Sequence, residues 1–223
     1  MDFKLLFQAI IKFLLGIILV SLLVFLPAGT LSYQNGWIFM GILFVPMLIA
    51  GIIMMIKNPA LLKKRLETKE KEREQSVIVK LSGLMFLAGF IVAGLDFRFD
   101  WFVLPKGVSI AAAAVFLIGY ILYAQVLKEN EYLSRTVEVQ ENQKVIDTGL
   151  YGKVRHPMYL ATLIMFLSMP LVLGSLFSFL IFLAYPILIS RRIKNEEELL
   201  EKELEGYAEY KQRVKYRIIP FIW

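Results

Sequence analysis

The sequence predicts an all-α integral membrane protein with about six transmembrane helices, the last two forming a short hairpin, followed by a cytoplasmic amphipathic C-terminal helix. Hydrophobic residues make up 58% of the 223 residues, above the roughly 45–50% of a soluble domain. They are concentrated in long runs. The clearest run, Trp37–Ile56, has twenty residues without a charge, enough to cross a hydrocarbon core of roughly 30 Å as a helix.

Five apolar runs place the spans. They cover Phe13–Leu31, Trp37–Ile56, Val77–Leu95, Val108–Leu127 and Met158–Ser190. The last run is too long for one span, and its middle, Pro170–Ser175, supplies Pro, Gly and Ser, which break helices and form turns. We therefore predict a tight hairpin there. The first run superficially resembles a signal peptide, but it is long enough to span and other apolar segments follow, so we expect it to be retained.

The basic residues predict the orientation of the chain. The connection Pro27–Gly36 has no Lys or Arg, whereas residues 57–80 contain Lys57, Lys63, Lys64, Arg65, Lys69, Lys71, Arg73 and Lys80. The positive-inside rule then places both termini in the cytoplasm of a multi-pass protein of the plasma or inner membrane. Basic loops beside anionic lipid explain the net charge of +6, so we expect no nucleic-acid partner. Lys63–Ser76 itself is interpreted as a solvated helix or flexible loop, or alternatively as a lipid- or partner-facing basic element.

The rarity of metal-binding and thiol residues limits the possible chemistry. The chain has one histidine, His156, and no cysteine. This excludes a disulfide, a cysteine nucleophile and the usual zinc sites, so we expect no metal. Ionisable groups are sparse in the spans of residues 1–127, which we interpret as a four-span scaffold and lipid entrance. Residues 128–223 alternate polar and apolar segments more quickly, and we expect the functional core there.

Two polar segments of this core stand out. Arg155-His156-Pro157 directly precedes an apolar helix, where free N–H groups and positive side chains favour an anion; the alternative is an interfacial anchor. In the charged tail helix that begins near Ile189, the carboxylates of Glu196 and Glu197 flank an apolar stripe formed by Ile193, Leu200, Leu204 and Tyr207. Gly206 is expected to end this helix. Arg192 lies one turn before Glu196, and the pair can also be an ordinary surface ion pair.

Three motifs in order resemble the isoprenylcysteine carboxyl methyltransferase family of integral membrane methyltransferases and the related phospholipid methyltransferases. They are Thr148–Tyr159 (Thr-Gly-Leu-Tyr, then Val-Arg-His-Pro-Met-Tyr), Arg192–Leu200 (Arg-Ile, then Glu-Glu, then Leu) and Gly206–Trp223 (Gly-Tyr, then Tyr, then Tyr-Arg and Pro). The resemblance covers about residues 130–223.

This resemblance implies S-adenosyl-L-methionine as the methyl donor, bound on the cytoplasmic side, and a lipophilic or prenylated acceptor arriving from membrane lipid. Gln143–Ile146 resemble the strand that lines the cofactor in the family. The full set of implied cofactor contacts is Glu138, Gln143, Lys144, Val145, Ile146, Tyr151, His156, Pro157, Met158, Tyr159 and Glu196. Arg192 resembles the substrate-side arginine.

The acceptor can be argued from what the chain lacks. An amine, phenol or thiol usually has to lose a proton, whereas a carboxylate is already ionised at neutral pH and needs only a cation to orient it. Arg192 or Arg155 can supply that cation, which favours carboxyl O-methylation. Alternatives are a lipid N- or S-methyltransferase, a sterol-reductase-like membrane oxidoreductase and a non-catalytic membrane scaffold.

Overall fold

The computed structural model describes residues 3–67, 70 and 72–223, and these residues form helices and connecting segments without a β-strand. The helices are α1 (Phe3–Ala28), α2 (Gln34–Lys57), α3 (Pro59–Leu66), α4 (Arg73–Phe99), α5 (Lys106–Glu129), α6 (Pro157–Val172), α7 (Leu176–Phe182), α8 (Ala184–Glu203) and α9 (Tyr207–Arg213). The predicted all-α fold class is confirmed.

Long apolar helices make this a multi-pass membrane protein. Five segments of the described chain are long and apolar enough to span: α1, α2, α4, α5 and the combined segment Leu176–Glu203. Helix α6 has 16 residues, or about 24 Å at 1.5 Å per residue, which is less than a hydrocarbon core of about 30 Å. The membrane class is therefore confirmed. Five segments of the described chain are long enough to span and α6 is a shorter apolar helix, so the count of about six transmembrane helices stays a prediction.

Small residues bring the helices close together. On α5, a Cβ at Gly119 would lie 2.6 Å from Met165 Cγ of α6. On α4, a Cβ at Gly94 would lie 2.5 Å from the carbonyl oxygen of Val24 in α1. Glycine at these positions permits the close backbone approach that is typical of membrane helix pairs.

The predicted hairpin turns between α6 and α7, where Gly174 has a φ of 81°. The Tyr33 hydroxyl donates a hydrogen bond to the Leu173 carbonyl. Ser175 Oγ donates to the buried Asp96 carboxylate at 2.5 Å and accepts from the Ser178 N–H at 3.1 Å. These bonds satisfy polar groups of the turn and fix it against the start of α2 and the end of α4.

The tail helix differs from its predicted form. It is the continuation of α8, which runs unbroken from Ala184 to Glu203, because its one proline, Pro186, lies in the first turn where proline is tolerated. The helix ends before Gly206. That glycine, with a φ of 81°, forms the turn that leads into α9.

The basic connection between α2 and α4 is more than a solvated loop. Leu61 and Leu62 of α3 are buried, and the side chain of Glu70 is 5% exposed in an ion pair with Arg192. Two of its predicted basic residues, Lys69 and Lys71, lie outside the described residues. The segment therefore packs on the core and contributes a carboxylate to it.

Candidate functional site

An open cavity lies at the end of the helical bundle where α6 begins and α8 ends. Counted with its open mouth, it encloses about 870 Å³ of space, part of which belongs to open solvent. The predicted site residues that line it are Glu138, Gln143, Lys144, Val145, Ile146, Tyr151, Arg155, His156, Met158, Tyr159, Arg192 and Glu196. Pro157 does not line it; it is the first residue of α6 and so orients its neighbours.

One wall of the cavity is the irregular segment between α5 and α6. Gln143–Ile146, which resemble a strand in the family pattern, lie in irregular backbone here and form no strand ladder among the described residues. Side chains hold the segment instead: Gln143 Oε1 accepts from the Gln140 N–H at 2.9 Å, and the Asn130 amide donates to the Tyr151 hydroxyl at 2.9 Å. Side-chain hydrogen bonds thus replace the missing ladder.

Glu197 bonds side chains from the start of α6 and from the C-terminal segment, beside the cavity. Its Oε1 accepts from Arg155 Nε at 2.7 Å and lies 3.1 Å from His156 Nε2, while its Oε2 accepts from Arg217 Nε at 3.0 Å. The Glu197 side chain is 3% exposed. Because a buried carboxylate is stable only when it is paired, these bonds fix the positions of all three cationic or imidazole side chains.

Backbone bonds reinforce the same junction. The Arg155 N–H donates to the Tyr216 carbonyl at 2.9 Å, and the His156 N–H donates to the Arg217 carbonyl at 2.8 Å. The Arg155 guanidinium also donates to the Val214 carbonyl at 2.6 Å. The first and third sequence motifs therefore meet directly, and the bonds of the Arg155 guanidinium are directed to the protein itself.

A second polar chain crosses the cavity from α6 to the α2–α4 connection. The Tyr159 hydroxyl donates to Glu196 Oε2 at 2.5 Å, and Arg192 Nε donates to the Tyr159 oxygen at 3.0 Å. Arg192 Nη2 then donates to Glu70 Oε1 at 2.7 Å and to the Arg135 carbonyl at 2.9 Å. The cofactor-side and substrate-side residues predicted from the sequence are thus linked through Tyr159.

Tyr207 adds a hydrogen-bond donor to the cavity. Its buried hydroxyl has no hydrogen-bond partner within the described chain, and the residue lines the cavity. Burial, followed by the nearby carboxylates of Glu197 and Glu196, raises the pKa of the Tyr207 phenol above its usual range. The hydroxyl therefore stays protonated at neutral pH and is available to a ligand.

The prediction from sequence omitted three of these residues as site residues. Glu197 and Tyr207 were assigned only to the border and apolar stripe of the tail helix, and their only signal was that position beside a buried face. Glu70 lies among mixed charges, and nothing in the local sequence distinguishes it.

Comparisons with known proteins are consistent with this geometry. Residues 108–206 match the model of the phospholipid methyltransferase family. The fold matches a solved structure of the eukaryotic intramembrane Ras methyltransferase ICMT with a TM-score of 0.55 and 20% sequence identity, over 86% of this chain and 70% of that chain. The chain resembles the ICMT-type integral membrane methyltransferases. The family resemblance predicted from the sequence is confirmed.

Sterol reductases are also similar to this chain. The mouse Delta(14)-sterol reductase TM7SF2 is 35% identical over 91 residues, which are 40% of this chain and 22% of the reductase. A Delta(14)-sterol reductase of Arabidopsis thaliana is 28% identical over 169 residues, 66% of this chain and 45% of that protein. The chain spans less than half the length of these relatives, so the shared sequence indicates related architecture and leaves the reaction open.

Proposed function

We propose that this ICMT-type protein transfers a methyl group from S-adenosyl-L-methionine to a lipophilic acceptor at the cytoplasmic membrane face, by carboxyl O-methylation of an isoprenylcysteine-like substrate. The observation that carries the proposal is the convergence of three distant segments on one cavity. These segments are the 138–146 wall, the start of α6 and the end of α8, and their facing residues are those that the family resemblance assigned to cofactor and substrate.

The side chains around the cavity fit the methyl donor. When bound, the donor would supply an electrophilic methyl group on a sulfonium, and transfer of that methyl group to an acceptor oxygen would break its bond to sulfur and release S-adenosylhomocysteine. The Glu196 carboxylate suits ammonium or hydroxyl groups. The His156 imidazole and the start of α6 suit a carboxylate, and the unpaired Tyr207 hydroxyl provides a further donor. Aromatic faces such as that of Tyr159 favour a cationic sulfur.

The chain acts mainly by positioning the reactants and excluding water. The Tyr159 hydroxyl bonds Glu196 on one side and Arg192 on the other, so a single hydroxyl group connects the cofactor region to the acceptor region. Arg192 is placed to orient an ionised acceptor, which needs no general base. Arg155, whose guanidinium is bound to Glu197 and Val214, is then a positioning residue for His156.

Calorimetry with S-adenosylhomocysteine tests the cofactor assignment. Wild-type protein in detergent should bind it saturably, and His156→Ala and Glu196→Ala should lose the binding while remaining folded by circular dichroism. Glu198→Ala, an exposed carboxylate on the same helix, is the matched control and should bind as wild type does. A folded wild-type protein that does not bind S-adenosylhomocysteine would refute the proposal.

The sterol-reductase relatives favour one alternative function, a membrane oxidoreductase that uses NADPH. A thermal-shift comparison separates the two candidates. Stabilisation by S-adenosylhomocysteine and not by NADPH is expected for the methyltransferase. Stabilisation by NADPH alone would replace the methyltransferase proposal with the reductase.

The rest of the molecule has a supporting role in this proposal. Residues 1–127 form the four-span scaffold and lipid entrance, and both termini lie in the cytoplasm with the cavity. Single cysteines introduced into this cysteine-free chain provide a clean test. A cysteine at Lys128 should resist an impermeant thiol reagent in intact cells, whereas one at Lys106 should be labelled.

A further inference from the structure

Two arginine side chains bind the backbone of a third arginine and of its neighbour at the cavity wall. Arg192 Nη2 donates to the carbonyl of Arg135 at 2.9 Å. Arg65 Nη1 donates to the carbonyl of Ser134 at 3.0 Å and Nη2 donates to the Tyr123 hydroxyl of α5. Arg65, Arg135 and Arg192 are called the arginine cluster below, and Arg65 connects it to α5 through Tyr123.

The three guanidinium groups differ in their partners. Arg192 is paired with Glu70 at 2.7 Å. Arg65 donates to neutral oxygen atoms. Arg135 lines the cavity, and across residues 3–67, 70 and 72–223 its guanidinium makes no hydrogen bond or ion pair. Arg135 is thus a cation that faces the cavity without a bonded carboxylate.

The surroundings of Arg135 favour an incoming anion. Arg135 is an exposed residue at the cavity wall. Desolvation of its guanidinium, followed by the positive charges of Arg65 and Arg192, lowers its pKa, and the nearby Tyr123 and Glu70 oppose this shift. An arginine remains protonated even so. Its repulsion by neighbouring cations is relieved when an oxyanion binds between them, and its planar fork matches a carboxylate or phosphate.

We propose that Arg135 binds an oxyanion, a carboxylate or phosphate, of the methyl acceptor and so makes the site specific for acidic lipids. This inference rests on the proposed methyl transfer and refines its substrate side. Arg192 is already paired with Glu70 and orients the acceptor through Tyr159 and its remaining N–H groups. Arg135 supplies the positive charge that the oxyanion of the acceptor neutralises.

Binding of matched probes tests the proposal in purified full-length protein saturated with S-adenosylhomocysteine. The acidic probes are N-acetyl-S-farnesylcysteine, which carries a carboxylate, and a short-chain phosphatidic acid, which carries a phosphate; the neutral probe is the methyl ester of the first. Wild-type protein should bind at least one acidic probe about tenfold more tightly than the ester, as expected for one charge-assisted hydrogen-bonded pair. Which acidic probe binds identifies the oxyanion.

Variants of the arginine establish which residue is responsible. Arg135→Gln should bind the acidic probe and the ester with nearly equal affinity, and Arg135→Lys should retain part of the preference. Arg191→Gln, which removes an exposed arginine beside Arg192, should behave as wild type. All variants should keep their affinity for S-adenosylhomocysteine, which also reports that they are folded.

Several outcomes would overturn the inference. Equal binding of acid and ester by the wild type, failure of both acidic probes to bind, or a full acid preference in Arg135→Gln would each do so. Loss of S-adenosylhomocysteine binding in folded Arg135→Gln would assign the arginine to the cofactor instead. A wild-type protein that binds the cofactor analogue but shows no acid preference contradicts this inference and leaves the proposed methyl transfer intact.

Discussion

Replacing Glu197 with alanine removes the carboxylate that joins the start of α6 to the C-terminal segment. The Arg155 side chain is 5% exposed, as is that of His156. Without Glu197, the buried Arg155 charge would lose its counter-ion and keep only its bond to the Val214 carbonyl, and His156 Nε2 would lose its partner. Arg217, with a side chain 31% exposed, can turn toward solvent and contributes less. Breaking a buried ion pair by removing one partner costs about 3–5 kcal/mol, and we expect Glu197→Ala to lose that amount.

Denaturant unfolding in detergent, followed by circular dichroism, measures this loss. The matched control is Glu201→Ala, whose partner Lys211 lies at 2.6 Å in a pair with both side chains about a third exposed; it should lose less than about 1 kcal/mol. The double variant Arg155→Met/Glu197→Met should be more stable than either single variant, because it leaves no unpaired buried charge. A Glu197→Ala protein as stable as Glu201→Ala would refute the assignment of Glu197 as the carboxylate that joins the start of α6 to the C-terminal segment.

Three further outcomes are expected from other parts of the structure. Gly119→Val should destabilise the protein by about 1–3 kcal/mol because its new Cβ would lie 2.6 Å from an α6 side chain. The control Gly83→Val, whose Cβ meets nothing within 4 Å, should leave stability unchanged. Equal melting temperatures of the two variants would contradict the close α5–α6 packing. The raised pKa of Tyr207 means that the folded state holds this proton more tightly than the unfolded state. The Tyr207 contribution to stability should therefore be constant below about pH 10 and be lost above it. Tyr207→Phe should reduce that alkaline loss, and an unchanged pH profile would argue against the burial of its hydroxyl. Glu70→Gln should leave S-adenosylhomocysteine affinity unchanged and alter the KM for an acidic acceptor at least twofold, because Arg192 loses its ion pair. An unchanged KM in steady-state kinetics would show that this ion pair does not influence acceptor binding.

The membrane class and the order of the helices follow from local patterns. Uncharged runs such as Trp37–Ile56 predict spans because no other structure satisfies their backbone within lipid. The Pro170–Ser175 turn is equally local, since proline and glycine act on their own backbone. The start of the tail helix was less predictable, because α8 continues from the second arm of the hairpin without a break. The charged pattern that begins at Ile189 marks a change in the surroundings of α8 and not the start of a new helix.

The site residues divide in the same way. The His156 and Glu196 motifs could be recognised from spacing and from family resemblance, but their partners could not. Glu197 reaches Arg155 across 42 positions of sequence, and Glu70 reaches Arg192 across 122. A single charged residue gives no sign of a partner at such a distance, and Glu70 resembles the other acidic residues of its loop.

By itself the sequence determined that this is a helical membrane protein with its polar motifs concentrated after residue 127, because hydropathy and helix-breaking residues act locally along the chain. Only the tertiary structure decided which charges are paired: Glu197 with Arg155, Glu70 with Arg192, and Arg135 with none of the described carboxylates. The physical reason is that whether a charged side chain is paired depends on its burial and on the neighbours that packing brings together. Those contacts leave Arg135 as a cavity-lining cation without a bonded carboxylate among the described residues.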